Sequence, residues 1–297
     1  MIEVLNLSKK FNGNTVLNNI NFKITKGEIF GYLGPNGAGK TTTIRILTGI
    51  IEPTSGEIYI EGYDLKKDKK IIRQKSGLLT ENPGFYERFD AMENIKFFSR
   101  LYGLNEKELN SKLEYYFKMF DLWGHRSKPV GTFSKGMKQK LSLIRAVLHD
   151  PEYVYLDEPT ASLDPETSTT VKSFIKEMKK QNKTIFVSTH NLFEAEEICD
   201  RVAILNREII DIGRPDELKY KLYGKKIIVE FENDPKLVMD ILSKSGLDFE
   251  IVGKKAIINF DGKSSVIIKS LVESGVEVSY VYRENHSLEE IYLEMVK

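Results

Sequence analysis

Several features that mark particular classes of protein are missing from this sequence. The 297 residues include one cysteine, Cys199, which excludes an internal disulfide and fits a reducing compartment. The N-terminal stretch MIEVLNLSKK has no apolar core, and no window approaches the roughly 18 apolar residues of a membrane span. Basic and acidic residues nearly cancel, 44 against 43, so bulk charge gives no reason to expect nucleic-acid binding. We therefore expect no secretory signal and no bilayer-spanning segment.

The sequence does contain ample material for a folded core. Its apolar fraction is 41%, with 16 Phe and 14 Tyr, and its length fits one large domain followed by a smaller one. Near Gly224 the pattern changes to strand, helix, two strands, helix and strand, the order of a ferredoxin-like α+β unit. A last helix is predicted to begin at Ser287, with Glu290 completing a capping box. We predict domains over residues 1–222 and 223–297.

A glycine-rich loop, GPNGAGKT, carries the strongest chemical signal. It fits the phosphate-loop pattern G-x-x-x-x-G-K-[ST], with a predicted strand, EIFGYL, before it and a predicted helix, TTTIRIL, after it. Backbone N–H groups of such a loop surround phosphate oxygens, Lys40 can reach the β- and γ-phosphates, and Thr41 can ligate Mg²⁺. The flanking elements argue against a simple glycine-rich turn. The residues expected to contact the nucleotide are Gly34, Pro35, Asn36, Gly37, Ala38, Gly39, Lys40, Thr41 and Thr42.

Two acidic residues and a histidine follow apolar runs further along the chain. YVYLDE ends a predicted buried strand with Asp157 and Glu158, and TIFVSTH ends the next with His190. A charged helical segment separates these runs, which is the rhythm of a parallel sheet, and RVAIL extends it. Adjacent strand residues point in different directions, so we assign Asp157 to the metal and Glu158 to polarising a water. Ligands gather at the carboxyl ends of such strands, which brings His190 to the same nucleotide.

The region over about residues 83–150 is helical in period. Phe97, Phe98, Leu101 and Tyr102 recur at helical spacing, and we interpret them as core rather than as a ligand site.

The same region contains a second candidate anion site. FSKGMKQK places Ser134, Gly136 and three lysines just before the apolar run LSLIRAVL. This is typical of a helix N-terminus that can hold an anion.

In this order, the motifs resemble those of the ATP-binding subunit of an ABC transporter, over roughly residues 1–220. The resemblance implies an α/β phosphate-loop NTPase cassette with a mixed sheet core, an N-terminal antiparallel β-subdomain and a helical subdomain. It also implies that Phe11 stacks on adenine, and that FSKGM stands where the family writes LSGGQ. Lys135 then occupies a glycine position of that signature. In the stretch ASLDP, the residues that match the family's D-loop are Ser162, Leu163 and Asp164.

One position departs from the family in a way that bears on the metal. Glu81 aligns with the family's loop glutamine, and a carboxylate can ligate Mg²⁺ through oxygen as an amide can. We therefore expect Glu81 to contact the metal or its water. Gln74 is the nearest glutamine, and we expect it at the surface.

The resemblance also implies partners. Two copies, or this chain and a paralogous subunit, would pair head to tail around two Mg-ATP, so that Ser134 of one copy grips the γ-phosphate held by the other. The predicted function is an ATP-hydrolysing motor subunit, peripheral on the cytoplasmic face of the cell membrane. It would drive export through a separate multi-span permease whose coupling helix meets the segment PGFYERFDAMENIKFF. The C-terminal domain would serve dimer or partner contact, or hold a regulatory ligand.

Two alternative functions can be compared with this sequence. A soluble ABC-type ATPase acting on ribosomes or nucleic acid usually has two cassettes in one chain or a long coiled coil between the loop and Asp157. This chain has one phosphate loop and no room for a coiled coil, and we expect no nucleic-acid partner. A binding protein that has lost hydrolysis is disfavoured because Glu158 and His190 are both present.

Overall fold

A computed structural model of the chain describes residues 1–80, 84–104, 106–161, 163–223, 226–259, 264–283 and 288–295. Glu81, Ser162 and Ser287, to which the sequence assigned roles, lie outside these ranges. Contacts between Cα atoms divide the chain into two compact units, Met1–Pro215 and Asp216–Lys297.

The first unit begins with an antiparallel sheet in the strand order β2-β1-β4-β5. Its strands are β1 (Ile2–Phe11), β2 (Asn14–Ile24), β4 (Ser55–Ile60) and β5 (Tyr63–Asp64). The tight turn at Asn12 and Gly13, both with positive φ, joins β1 to β2. The buried apolar residues of β1 and β2 alternate along each strand except where the register shifts, between Val4 and Leu7 and between Leu17 and Ile20. They form a continuous core with the next sheet.

A six-stranded sheet forms the centre of this unit, in the order β10-β9-β3-β8-β7-β6. Its strands are β3 (Ile29–Leu33), β6 (Ser76–Leu79), β7 (Tyr153–Asp157), β8 (Thr184–Thr189), β9 (Arg201–Asn206) and β10 (Glu208–Gly213). All neighbours are parallel except β10, which pairs antiparallel with β9. Every residue of β3, β7 and β8 is buried, as expected for a sheet covered on both faces.

This sheet confirms the predicted parallel rhythm and refines one detail. β7 and β8 are neighbours, with Asp157 opposite Ser188. The run RVAIL, in β9, lies in the same sheet but pairs with β3 rather than with β8. β3 is therefore central, and the loop that follows it opens beside the ends of β7 and β8.

The helices of the first unit pack around these sheets. They are α1 (Lys40–Leu47), α2 (Lys69–Gln74), α3 (Ala91–Leu101), α4 (Glu106–Met119), α5 (Lys135–Val147), α6 (Pro165–Lys180) and α7 (Leu192–Ile198). The next helix, α8 (Pro215–Tyr223), begins at the last residue of the first unit and belongs otherwise to the second. Gln74 is exposed, as predicted. Cys199 is buried, and burial raises the pKa of its thiol.

The prediction that the aromatic stripe of the helical region is core is wrong. Leu101 is 71% exposed, Phe97 and Tyr102 are also exposed, and Phe98 is only half-buried. The buried face of α3 consists instead of small and polar residues around one isoleucine: Ala91, Asn94, Ile95 and Ser99. The side chain of Asn94 donates to the backbone oxygens of Tyr86 and Asp90, which satisfies it inside. Periodicity identified the helix, but polar groups with local partners took the buried face.

The second unit has the predicted ferredoxin-like order. Its elements are β11 (Lys226–Phe231), α9 (Pro235–Lys244), β12 (Asp248–Val252), β13 (Lys255–Asn259), α10 (Ser264–Glu273), β14 (Val278–Arg283) and α11 (Leu288–Met295). All strand pairs in its sheet are antiparallel, in the order β12-β13-β11-β14. Its own apolar core includes Val229, Phe231, Val238 and Ile258.

No helix in the described part of the chain is both long enough and apolar enough to cross a membrane.

Candidate nucleotide site

The loop between β3 and α1 has a backbone that only glycine fits at two positions. Gly39 has φ 104, and a Cβ there would lie 2.4 Å from Leu17 Cδ2. A Cβ on Gly34 would lie 2.5 Å from the carbonyl oxygen of Leu205. Gly34 therefore packs the loop against β9, and Gly39 turns the chain into α1.

Lys40 lies inside this loop although it is charged. Its side chain is 6% exposed. Nζ donates to the carbonyl oxygen of Gly34 at 2.8 Å and lies 3.2 Å from Glu158 Oε1. A buried ammonium requires such partners. The loop thus holds a cation at the N-terminus of α1, where the helix dipole adds further positive potential.

Glu158 joins the loop to the histidine. Its carboxylate lies between two partners: Lys40 on one side and His190 Nδ1, at 2.8 Å from Oε2, on the other. Its backbone is left-handed, with φ 49, a conformation that costs free energy for a residue with a side chain. The N–H of Glu158 donates to the carbonyl oxygen of Ser188 at 3.0 Å, which fixes this turn at the end of β7.

Asp157, next to it, has a different environment. It is 2% exposed, and Ser188 Oγ donates to its Oδ1 at 2.6 Å. That bond leaves Oδ2 for another partner. Thr41, at the start of α1, is half-buried and lines the cleft. Together they offer a carboxylate and a hydroxyl, hard oxygen donors of the kind that Mg²⁺ prefers.

Within the described ranges, no three His, Cys, Asp or Glu side chains come together as a metal cluster. Mg²⁺ at a phosphate-loop site commonly takes one or two protein ligands and completes its shell with phosphates and water. The donor set of Thr41 and Asp157 therefore fits Mg²⁺ in company with a nucleotide.

Lys40, Thr41, Glu158 and His190 open onto a cleft of about 540 Å³, whereas Asp157 is not among the described residues that line it. The residues that line it are Phe11, Val16, Asn36, Gly37, Gly39, Lys40, Thr41, Thr42, Glu158, Ala161 and His190. Phe11 is largely exposed at the end of β1, with Lys9 Nζ 4.7 Å from its ring centroid. The cleft is therefore lined by both an exposed aromatic ring and a buried lysine, which suit a base and a polyphosphate.

Of the predicted nucleotide contacts, Gly34, Pro35 and Ala38 of the loop are not among the described residues that line this cleft. Neither are Ser134, Gly136 and Asp164, the three predicted contacts outside the loop. Ser134 is the N-cap of α5, its Oγ accepting from the N–H of Met137 at 3.2 Å. Gly136 lies in the first turn of α5. Asp164 is the N-cap of α6, where Oδ1 accepts from the N–H of Thr167 at 2.8 Å. The hydrogen bond from Thr167 lowers the pKa of Asp164. Each of the three lies at the start of a helix.

Sequence reasoning missed two residues of the site. Ser188 binds Asp157 and orients the turn of Glu158, and only the register of β8 against β7 reveals it. Glu194, in the first turn of α7, is buried and bonded to Thr189 beside His190. Its place in a run of acidic residues, FEAEEI, gave no sign that this one turns inward.

The sheet order, the glycine loop before α1 and the buried Lys40 define the class of the protein: a phosphate-loop nucleoside triphosphatase. The glycine loop follows β3. His190 follows β8 and Glu158 follows β7, the two strands that come after β3 in the sheet order, so all three lie at the edge where ligands bind in such sheets.

Comparisons with known proteins identify the family. A family model described as ABC transporter matches residues 17–161. The chain is 37% identical over 224 residues to the ABC transporter ATP-binding protein NatA of Bacillus subtilis, covering 73% of this chain and 91% of NatA. It is 40% identical over 207 residues to the bacitracin transport ATP-binding protein BcrA of Bacillus licheniformis, covering 69% of this chain and 67% of BcrA.

A solved structure agrees. The dimeric structure of MJ0796, a bacterial ABC transporter cassette, matches with a TM-score of 0.66 and 25% identity, covering 72% of this chain and 98% of that one. The chain belongs to the ATP-binding proteins of ABC transporters. The predicted cassette fold and the predicted class, an ATP-binding and ATP-hydrolysing subunit, are thereby confirmed.

Proposed function

We propose that this chain is a motor subunit that pairs head to tail with a second copy, or with a paralogous subunit. Each pair binds two Mg-ATP and drives export through a separate membrane-spanning permease. The observation that carries the proposal is the contact of Lys40, Glu158 and His190 at the mouth of one cleft.

In the proposed site the nucleotide lies along the cleft. Phe11 stacks on the base, and the loop N–H groups and Lys40 bind the phosphates. Thr41 and Asp157 would hold Mg²⁺, and the predicted contact from Glu81 lies outside the described residues. When bound, Mg²⁺ supplies positive charge that neutralises the phosphate oxygens.

The hydrolytic step falls to Glu158 and His190 in this proposal. Glu158 orients a water for attack on the γ-phosphorus and accepts its proton, while His190 and Lys40 stabilise the charge of the transferred phosphoryl group. The left-handed turn of Glu158 supports this assignment, because it directs the carboxylate toward Lys40 and His190 instead of into the sheet beside Asp157.

The head-to-tail arrangement explains Ser134 and Gly136. The first turn of α5 carries no acidic residue. The helix therefore has no carboxylate in its own first turn to face the backbone N–H groups at its N-terminus. In a pair, Ser134 and Gly136 of one copy would meet the γ-phosphate on the loop of the other, with Asp164 near the same interface. The dimeric cassette of MJ0796 supports such a pair.

The exposed aromatic side chains around α3 suit a membrane partner. Tyr86, Phe89, Phe97 and Leu101 are all exposed, and we call these four residues the α3 surface. Contiguous exposed apolar patches mark interaction sites. We propose that a permease coupling helix docks here, which places the chain on the cytoplasmic face of the membrane. BcrA, named for bacitracin transport, supports antibiotic-type cargo.

Substitution of Glu158 by Gln tests the proposed chemistry. The variant should bind ATP and elute as a dimer in its presence, while phosphate release falls at least about 100-fold, since the amide cannot accept a proton. Glu57→Gln, an exposed carboxylate on β4, is the control and should hydrolyse as the parent does. Undiminished hydrolysis by the Glu158→Gln variant would remove Glu158 from its role.

A further inference from the structure

Glu194 is a buried carboxyl group that the proposed chemistry does not use. It is 3% exposed, and burying such a group costs free energy unless partners compensate. Its Oε2 accepts from Thr189 Oγ1 at 2.8 Å. Its Oε1 has no hydrogen-bond partner in the part of the chain that the structure describes. Burial raises the pKa of Glu194, against the opposing effects of the Thr189 and Thr160 hydroxyls.

The hydrogen bonds of Glu194 differ from those of an ordinary capping-box residue. In a capping box, the acid at the third helical position accepts from the backbone N–H of the N-cap residue. Here the N-cap is Asn191, whose N–H donates to Thr189 Oγ1 at 3.0 Å. The hydroxyl of Thr189 thus lies between the N-cap residue and Glu194, and it donates a hydrogen bond to the carboxyl group of Glu194.

The bonds form a closed ring around one residue. Asn191 Oδ1 accepts from the N–H of Glu194 at 3.1 Å, which returns the chain of bonds to its start. Thr189, Asn191 and Glu194 therefore fix both neighbours of His190. His190 meets Glu158 Oε2 twice, through Nδ1 of its ring at 2.8 Å and through its backbone N–H at 3.4 Å.

The ring of bonds gives the exposed imidazole a rigid base. His190 is 56% exposed, so little packing holds it in place. Its direction depends on the backbone on either side, and a displacement of about 1 Å at a catalytic group can cost on the order of 100-fold in rate. The residue that anchors this backbone from inside the protein is Glu194.

We propose that Glu194 is a positioning residue for His190, acting through the hydroxyl of Thr189 to hold the turn that aims the imidazole. The inference rests on the proposed role of His190 in ATP hydrolysis and deepens it. It requires of Glu194 an oxygen that accepts from Thr189, not a negative charge.

The test compares variants by steady-state kinetics, nucleotide affinity and thermal unfolding. Glu194→Ala should lower kcat at least about 10-fold and change the dissociation constant for a non-hydrolysable ATP analogue less than about 2-fold, because the loss falls on the transition state. Glu194→Gln retains an oxygen acceptor and should stay within about 3-fold of the parent. Glu197→Ala, on the outer side of the same helix with surface ion pairs to Lys172 and Lys176, is the matched control and should change kcat little.

A second pair of variants keeps the test valid if Glu194→Ala does not fold. Thr189→Val removes only the hydroxyl and should reproduce the fall in kcat, whereas Thr189→Ser should restore it. His190→Ala reports on the proposed function separately. A full kcat in Thr189→Val, beside a His190→Ala variant that has lost hydrolysis, would overturn the inference and leave the proposed function standing. A His190→Ala variant that hydrolyses normally would overturn the proposed function itself.

Discussion

Asp157 and Glu158 are adjacent, yet their surroundings give them different work. Asp157 continues the strand, is buried and receives the hydroxyl of Ser188. Glu158 leaves the strand through a left-handed turn and meets Lys40 and His190 at the cleft. One residue is therefore suited to hold a metal with Thr41, and the other to orient a water.

Gly39 provides a prediction about the loop. Gly39→Ala should abolish nucleotide binding, because the new Cβ would lie 2.4 Å from Leu17 Cδ2 in a backbone with φ 104. Gly62→Ala is the control: it has φ 83 with no atom within 4 Å of a built Cβ, so it should cost about 1–2 kcal/mol of stability and leave affinity intact. Isothermal titration calorimetry with ATP measures the affinity of both variants. Equal affinities in the two variants would contradict the account.

Asp164 gives a prediction about pH. Its folded pKa lies below the ordinary 3.8, because the N–H of Thr167 stabilises the ionised form. The stability it contributes should therefore be fully present above that ordinary pKa and disappear as pH falls through the lower folded value.

Denaturant unfolding of the parent and of Asp164→Ala measures this contribution. The variant should be less stable at neutral pH, with a difference that shrinks in acid below about pH 4. Asp164→Asn should keep most of the stability, since Asn is an equally good N-cap. A difference in unfolding free energy between parent and Asp164→Ala that grows in acid would contradict this prediction.

Some site residues could be predicted from the sequence and some could not. The phosphate loop is a contiguous pattern with the correct flanks, and Glu158 and His190 follow from where apolar runs end. Ser188 and Glu194 could not be found, because their positions depend on strand register and on which of several acids turns inward. Those are facts of tertiary packing.

At the scale of elements, α3 shows where periodicity misleads. The spacing predicted a helix correctly, but the larger aromatic residues lie outside and Asn94 inside. Asn94 can be buried because it bonds to backbone oxygens of the turn before the helix. Sequence patterns measure hydrophobicity, whereas burial also depends on which polar groups find partners.

The two faces of α3 should respond differently to truncation. Ile95→Ala, at a fully buried position, should cost about 2–5 kcal/mol. Leu101→Ala, on the exposed face, should change stability by less than about 0.5 kcal/mol but weaken attachment to membranes that contain the permease. Val272→Ala, an exposed residue of α10, is the matched control. Unchanged membrane attachment of the Leu101 variant would exclude its part of the α3 surface as the docking site.

At the scale of the whole molecule, the cassette separates the two devices that handle one triphosphate. Lys40, Glu158 and His190 share one cleft, and Ser134 caps a helix outside that set. The order of elements in the second unit followed from the sequence, since strands and helices alternate there with clear turn signals. Pairing between copies did not follow from the structure of one chain, and it remains the proposal that explains Ser134.

Mixing two inactive variants tests that pairing most directly. Lys40→Ala should abolish hydrolysis through its own loop, and Ser134→Arg should block the site of the opposite copy. In a mixed pair, the intact loop of the Ser134 variant faces the intact helix of the Lys40 variant. An equimolar mixture should therefore recover up to about one quarter of the parent's ATP hydrolysis, as random pairing of two chains gives. A mixture as inactive as either variant alone would contradict the account.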